Sequence, residues 1–325
     1  MEPSVIFDTP IQKIRGFDAQ GNELFMKRDD LLPFSFGGNK VRIAKAYLDD
    51  MRASGKNALI MYGDRHSNLC RVLANMCHVY QVPCAMVVTS VTDDGVSFNQ
   101  TITSQFDVKL IPCEKGAIAT AVDDAFAYFQ AQGLNPYYIF GNRYGEGNEG
   151  TGAMAYAAAY QEIRVWEERN RPFDLLALPY GTGASVGGLI AGSLAAGDQR
   201  DIVGISISSR TQERAMRILR GAIEGYFSKT GKPLPSSAAL DAAVNLQCGY
   251  NLGGYGIYDE SVTAVSDRML RENGIPMDPI YSAKAFAGLL RYLADQGITG
   301  KRILFLHTGG LPLYFDYLAG KRAAC

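Results

Sequence analysis

Short apolar runs alternate with amphipathic stretches along most of the chain. Ala58–Tyr62, Cys84–Val88, Val108–Ile111 and Pro136–Phe140 read as strands, as do Leu175–Leu178, Ile202–Ile207 and Arg302–Leu306. Apolar residues recurring every three to four positions predict helices over about 41–51, 67–80, 118–132 and 151–169. Strands separated by helices require crossover connections, so the pattern predicts an α/β fold with parallel sheets covered on both faces. From Leu175 to Gly197 the chain runs 23 residues without a charge. Six glycines and Pro179 interrupt that run, so it reads as a strand, a turn and a helix from about Val186, and a membrane span is not expected. Gly55-Lys56 and the polar stretch 145–150 are the best-marked chain crossings.

Composition narrows the class. The 325 residues are 47% hydrophobic and 10% aromatic, enough for one large α/β unit or two domains with a long interface. The formal charge is −1 with acids and bases interspersed, which argues against a nucleic-acid partner. The six cysteines have no CxxC or metal spacing and read as reduced thiols, and no signal peptide is expected at Met1-Glu2-Pro3; the expected location is the cytoplasm. Three histidines as scattered as 66, 78 and 307 suggest no metal site.

In doubly wound folds, sites form at the carboxyl ends of strands and at helix N-termini. Four glycine-bearing segments lie in such places. In the first, Phe36-Gly37-Gly38-Asn39-Lys40, the lysine opens a helical stretch. There it is either a surface residue after a turn or a desolvated amine of lowered pKa suited to capturing an aldehyde. In the second, Gly63 to Arg71, Ser67 can cap a helix, whose free N–H groups would suit a carboxylate or phosphate. The third, Pro179 to Gly188, can cradle a phosphate with backbone N–H groups and the Thr182 and Ser185 hydroxyls, or can simply pack its glycines on a sheet. It matches neither GxGxxG nor GxxxxGK[ST], which points to a small phosphorylated cofactor. The fourth, His307 to Pro312, brings a hydroxyl and flexible backbone to the same edge.

Together, Lys27-Arg28-Asp29-Asp30-Leu31, Gly37 to Lys40, Ser67-Asn68 with Arg71, Gly181 to Ser185, Tyr255-Gly256, Asp278-Pro279-Ile280-Tyr281 and His307 to Pro312 resemble the ACC deaminase/D-cysteine desulfhydrase family. The resemblance spans about residues 7–318. It implies a tryptophan synthase β-like chain of PLP fold type II. That is α/β with two domains, each a mainly parallel sheet flanked by helices, and pyridoxal 5'-phosphate (PLP) in the cleft between them. The expected division is a large domain of 1–52 and 160–325 and a small one of 53–159. A homodimer is also implied.

By motif match, Lys40 would hold PLP and move the substrate α-proton, and Asn68 would bond the ring oxygen. Gly181, Thr182, Gly183, Ala184 and Ser185 would hold the phosphate, with Ser282 and Thr308 also at the cofactor. Ser67 would meet the substrate carboxylate, with His66, Asn68, Tyr255 and Tyr281 lining the substrate; Lys40, Ser67 and Tyr281 form the expected catalytic set. The turn Asp64-Arg65-His66 is charged where the family is neutral, which leaves room for a substrate with an extra anionic group.

Ser282 bears on the reaction. ACC deaminases place a glutamate after the tyrosine of the DPxY motif, and D-cysteine desulfhydrases place a threonine there. A hydroxyl offers no charge to the pyridine nitrogen and suits an easily lost β-substituent better than ring opening. The expected activity is therefore PLP-dependent α,β-elimination on a small amino acid, as in D-cysteine to pyruvate, sulfide and ammonia. A β-replacement synthase, an ACC deaminase (disfavoured by Ser282) and a non-catalytic relative are the alternatives.

Overall fold

The computed structural model describes residues 7–17, 19–89 and 97–323. In chain order the elements are β1 (Ile11–Lys13), β2 (Glu23–Lys27), α1 (Asn39–Ala53), β3 (Ala58–Gly63), α2 (Asn68–Val79), β4 (Cys84–Thr89), α3 (Phe98–Thr103), β5 (Val108–Cys113), α4 (Ile118–Gln130) and β6 (Pro136–Tyr138). There follow α5 (Glu149–Glu167), β7 (Leu175–Tyr180), α6 (Ala184–Ala195), β8 (Asp201–Ser206), α7 (Gln212–Thr230), α8 (Ser237–Ala243), β9 (Asn245–Gln247), α9 (Glu260–Asn273), α10 (Ser282–Asp295), β10 (Arg302–Leu306) and α11 (Leu311–Ala323).

These strands form two sheets. The larger has the order β1-β2-β10-β7-β8-β9, and the smaller the order β5-β4-β3-β6. Every pairing is parallel except β1 with β2. Both central strands of the larger sheet read as continuous apolar runs because both faces are covered: all of β7 and all of β10 are buried. The seven expected strands are all present. The helix expected from Val186 starts at Ala184, and the strand expected over 136–140 ends at Tyr138, where Gly141 turns the chain back with its N–H on the Tyr138 carbonyl. β1, β2 and β9 are additions.

Topology places the site. β2, β7, β8 and β10 run in one direction, so their carboxyl ends share one edge of the larger sheet. The backbone N–H of His307 extends this edge by bonding the Lys27 carbonyl at 3.0 Å. α5 packs against α1, α6 and α7, and so joins the larger sheet's layer; the expected division at 159/160 falls inside this continuous helix.

A buried ionic cluster fixes α1 on that layer. Arg42 binds Asp29 through Nε and Nη2, both at 2.9 Å, and reaches Glu162 of α5 at 2.5 Å. Tyr156 and Thr9 hydroxyls each donate to Asp29 at 2.7 Å. Burial alone would raise the Asp29 carboxyl, but the Arg42 charge and hydrogen bonds, Lys27 and Tyr156 outweigh it and hold the carboxyl below its ordinary value.

Candidate active site

Lys40 stands at the second position of α1, just past Gly38 and Asn39. Gly38 has φ 57° and ψ −148°, a conformation essentially confined to glycine, and an added Cβ would lie 2.8 Å from the Gly309 Cα. This close approach lets the Asn39 N–H bond the Thr308 carbonyl at 3.0 Å. The Asn39 side chain donates to Ser185 Oγ at 3.0 Å. One backbone and one side-chain hydrogen bond of Asn39 therefore join the Lys40 segment to the turn after β10 and to the start of α6. Desolvation lowers the Lys40 amine to about 8, and no carboxylate pairs with it among the described residues.

The turn after β7 ends in Gly183, left-handed at φ 89°, which starts α6 without any side-chain cap. The first N–H groups of α6, from Ala184 to Val186, thus point out of the helix with no capping side chain, as an anion requires. Ser185 is nearly buried, whereas Thr182 is exposed. Arg210, on the loop after β8, donates to the Gly181 carbonyl.

The turn after β3 delivers Ser67 as the N-cap of α2, its Oγ accepting from Cys70 N at 3.2 Å. Arg65 Nε donates to His66 Nε2 at 3.1 Å, and the His66 N–H bonds Asp64 Oδ1 at 2.9 Å. Asn68 follows Ser67 and accepts a hydrogen bond from Arg71 at 3.2 Å.

Tyr281 and Tyr255 form a pair, with hydroxyls 3.0 Å apart and rings edge-on at 5.8 Å. The Tyr281 ring lies against Gly181 of the phosphate-type turn. Burial, then Tyr255, Asp278 and Asp64 push the Tyr281 phenol well above its usual value. Burial, more than the Asp64 and Asp278 charges, likewise pushes the Tyr255 phenol up.

Asp278 accepts from the N–H groups of Ile280, Tyr281 and Ser282 at 3.0, 2.7 and 3.1 Å. Ser282 is 0% exposed, and its hydroxyl donates to Asp278 Oδ2 at 2.8 Å. The His307 ring accepts from Gly309 N at Nδ1, so its proton sits on Nε2, facing the Pro276 carbonyl at 2.8 Å. A groove of about 480 Å³ lined by Met216, Arg217, Arg220 and Leu240 contains none of these residues.

The structure thus links Lys40, Thr308 and Ser185 through Asn39 and Gly38, Asn68 to the Lys40 segment through Arg71, and Tyr281 to Tyr255 and Gly181. Asn39 and Arg71, which make these links, and Asp278, which holds the turn of Tyr281, were not among the expected site residues. All three carried a signal all the same: Asn39 lies inside GGNK, Arg71 a helical turn beyond Asn68, and Asp278 opens the DPxY motif.

The description "Pyridoxal-phosphate dependent enzyme" is that of the family whose profile matches residues 3–309. The chain belongs to that family. Its members use PLP, and the residues present fit it: a desolvated lysine, an uncapped helix N-terminus, and glycine backbone that lets the Lys40 segment close on the turn after β10.

The D-cysteine desulfhydrase of Serratia proteamaculans is 27% identical over 320 residues, covering 95% of this chain and 93% of its own. That of Klebsiella pneumoniae is 28% identical over 324 residues with the same coverage. A crystal structure of an ACC deaminase homologue superposes with TM-score 0.79 at 25% identity, over 98% of this chain and 95% of that one. A hydrogen sulfide-producing enzyme from Fusobacterium nucleatum shares the fold at TM-score 0.61 and 18% identity, over 93% of each chain. No helix among the described residues is long and apolar enough to cross a membrane.

Proposed function

We propose that this PLP-dependent enzyme is a lyase that removes a β-substituent from a small amino acid, with D-cysteine the leading substrate. The observation that carries the reading is Lys40, an amine brought to about 8 by desolvation alone where the turns after β7 and β10 meet α1. An amine poised near neutral pH can hold the cofactor and take up and return a proton. PLP, when bound, draws electrons away from the substrate's α-carbon.

The chain's residues do the rest. Lys40 holds the cofactor and carries the α-proton. The α6 N-terminus, with Gly181 to Ser185, receives the phosphate, and the Asn68 amide donates to the ring oxygen. Thr308 fixes the Lys40 segment through its carbonyl. Ser67, with the His66 turn, orients the substrate carboxylate. Tyr281, with its phenol held protonated, faces the substrate with Tyr255 as its partner. The names of the 27–28% identical relatives support D-cysteine, and Ser282 in place of a carboxylate supports elimination over ring opening. A reducing cytoplasm suits the free Cys70, Cys77, Cys84, Cys113 and Cys248.

The test is the visible spectrum of the purified protein and of Lys40→Ala, before and after D-cysteine, L-cysteine and ACC, with pyruvate and sulfide assayed. A cofactor band lost in Lys40→Ala and pyruvate formed from D-cysteine are expected. The absence of any band in the unmutated protein would overturn the reading. Product trapped by an added thiol would move it to β-replacement.

A further inference from the structure

Arg71 is 0% exposed, and among the described residues no carboxylate lies within ion-pair distance of it. Among the described residues its side chain makes four hydrogen bonds, all to neutral acceptors. Nε donates to Asn99 Oδ1 at 2.6 Å and Nη1 to Ser35 Oγ at 3.2 Å. Nη2 is shared between Phe36 O at 3.4 Å and Asn68 Oδ1 at 3.2 Å. Desolvation lowers the guanidinium to about 10. Burying an unneutralised charge is costly, so so enclosed a position calls for a reason beyond packing.

The acceptors supply one. Arginine has only donors, so the Asn68 atom facing it must be the carbonyl oxygen. The Asn68 NH₂ group is thereby turned the other way, as a donor. A free asparagine could present either end of its amide; next to Arg71 it can present only one. Two of the other acceptors, the Ser35 hydroxyl and the Phe36 carbonyl, belong to the segment that delivers Lys40. Phe34, Ser35 and Phe36 are all left-handed, with φ 59°, 54° and 59°, a run that non-glycine residues adopt only when held. Arg71 bonds two of the three. Asn99, itself fully buried, completes the clamp by donating to the His66 carbonyl at 2.8 Å.

We infer that Arg71 is a positioning residue: it fixes the Asn68 amide as a donor toward the cofactor's ring oxygen and sets a positive charge one hydrogen bond behind that contact. The inference rests on the proposed placement of PLP against Lys40 and Asn68. Arg71 does not touch the cofactor; it decides which end of Asn68 does.

A double-mutant cycle on the holoprotein tests this, reading the visible cofactor band and the PLP dissociation constant. Arg71→Met is expected to weaken PLP binding about tenfold and to shift the band. In an Asn68→Ala background the same substitution should cost less than about threefold and leave the band where Asn68→Ala put it. Arg71→Lys, which keeps the charge, should restore part of both. Equal losses in the two backgrounds would mean that Arg71 acts only on the fold, and would overturn the inference. Should Arg71→Met not fold, Asn68→Asp decides. It gives Arg71 an ionic partner, so the fold is kept, while an acceptor replaces the donor; an unchanged band and PLP affinity would overturn the inference. These outcomes are separate from failure of the functional reading, in which the unmutated protein shows no cofactor band at all.

Discussion

The Ser282 hydroxyl donates to Asp278 Oδ2 at 2.8 Å, and both residues are closed to solvent. Asp278 also takes three successive backbone N–H groups at the start of α10, so one carboxylate shapes both the turn of Tyr281 and the position of Ser282. Asp278→Ala strands these donors inside the protein and should lower stability by about 3 kcal/mol. Ser282→Ala leaves the three N–H bonds intact and should cost only about 1 kcal/mol. Urea unfolding of both variants checks the ratio. PLP affinity separates cap from cofactor contact: a several-fold loss in Ser282→Ala is expected if Ser282 reaches the ring.

Lys40 opposes folding as long as it is charged, because its folded-state value near 8 lies below the ordinary 10.5. That opposition is full below about pH 8 and fades as pH rises toward 10.5. Cofactor-free Lys40→Met should therefore be more stable than the unmutated chain at pH 7, by about 1–2 kcal/mol after allowance for solvent screening. The two should converge above pH 10. Capture of added PLP by the unmutated chain should accelerate about tenfold per pH unit below 8 and level off above it, since only the neutral amine attacks. Stopped-flow absorbance across pH 6–10 measures this.

Much of the fold was legible because the central strands are buried on both faces and so read as unbroken apolar runs, β7 and β10 above all. β2 was hidden: Glu23–Lys27 mixes buried and half-buried positions, and its place is set by pairing with β10, almost the whole chain away. The site divides in the same way. Gly37 to Lys40 is a local signal, and the resemblance supplied the other motifs. The contacts that bind them together are long-range, with Asn39 and Ser185 146 positions apart and Arg71 and Asn99 28 apart. Spacing alone cannot announce such pairs.

Asp29 ties the site to stability. Because its carboxyl is held below the ordinary 3.8, its contribution is present above about pH 4 and is lost as pH falls through the lower folded-state value. Asp29→Asn leaves Arg42 with Glu162 as its remaining carboxylate and should cost about 3 kcal/mol at pH 7. The gap between the variant and the unmutated chain should narrow in acid. Since Arg42 lies two residues after Lys40 on α1, PLP affinity should fall as well. Denaturant melts at pH 3 and 7 and a PLP titration check both points.

Tyr255 and Tyr281 are held by different means, and kinetics should separate them. The Tyr281 backbone is fixed by Asp278 at 2.7 Å, whereas the loop of Tyr255 is tethered by fully buried Lys284, whose Nζ donates to the Gly254 carbonyl. Tyr281→Phe removes a protonated phenol from the proposed substrate site and should lower kcat for D-cysteine about a hundredfold. Tyr255→Phe deletes the hydrogen bond that helps keep Tyr281 protonated, so the Tyr281 phenol should move back toward its ordinary value and the alkaline limb of the rate profile should move to lower pH. Lys284→Met frees the loop without touching either hydroxyl. It should raise KM several-fold and change kcat little, because the pair is then assembled only when substrate binds. A fall in kcat at constant KM would instead place Lys284 in the chemistry and remove the tether from the account.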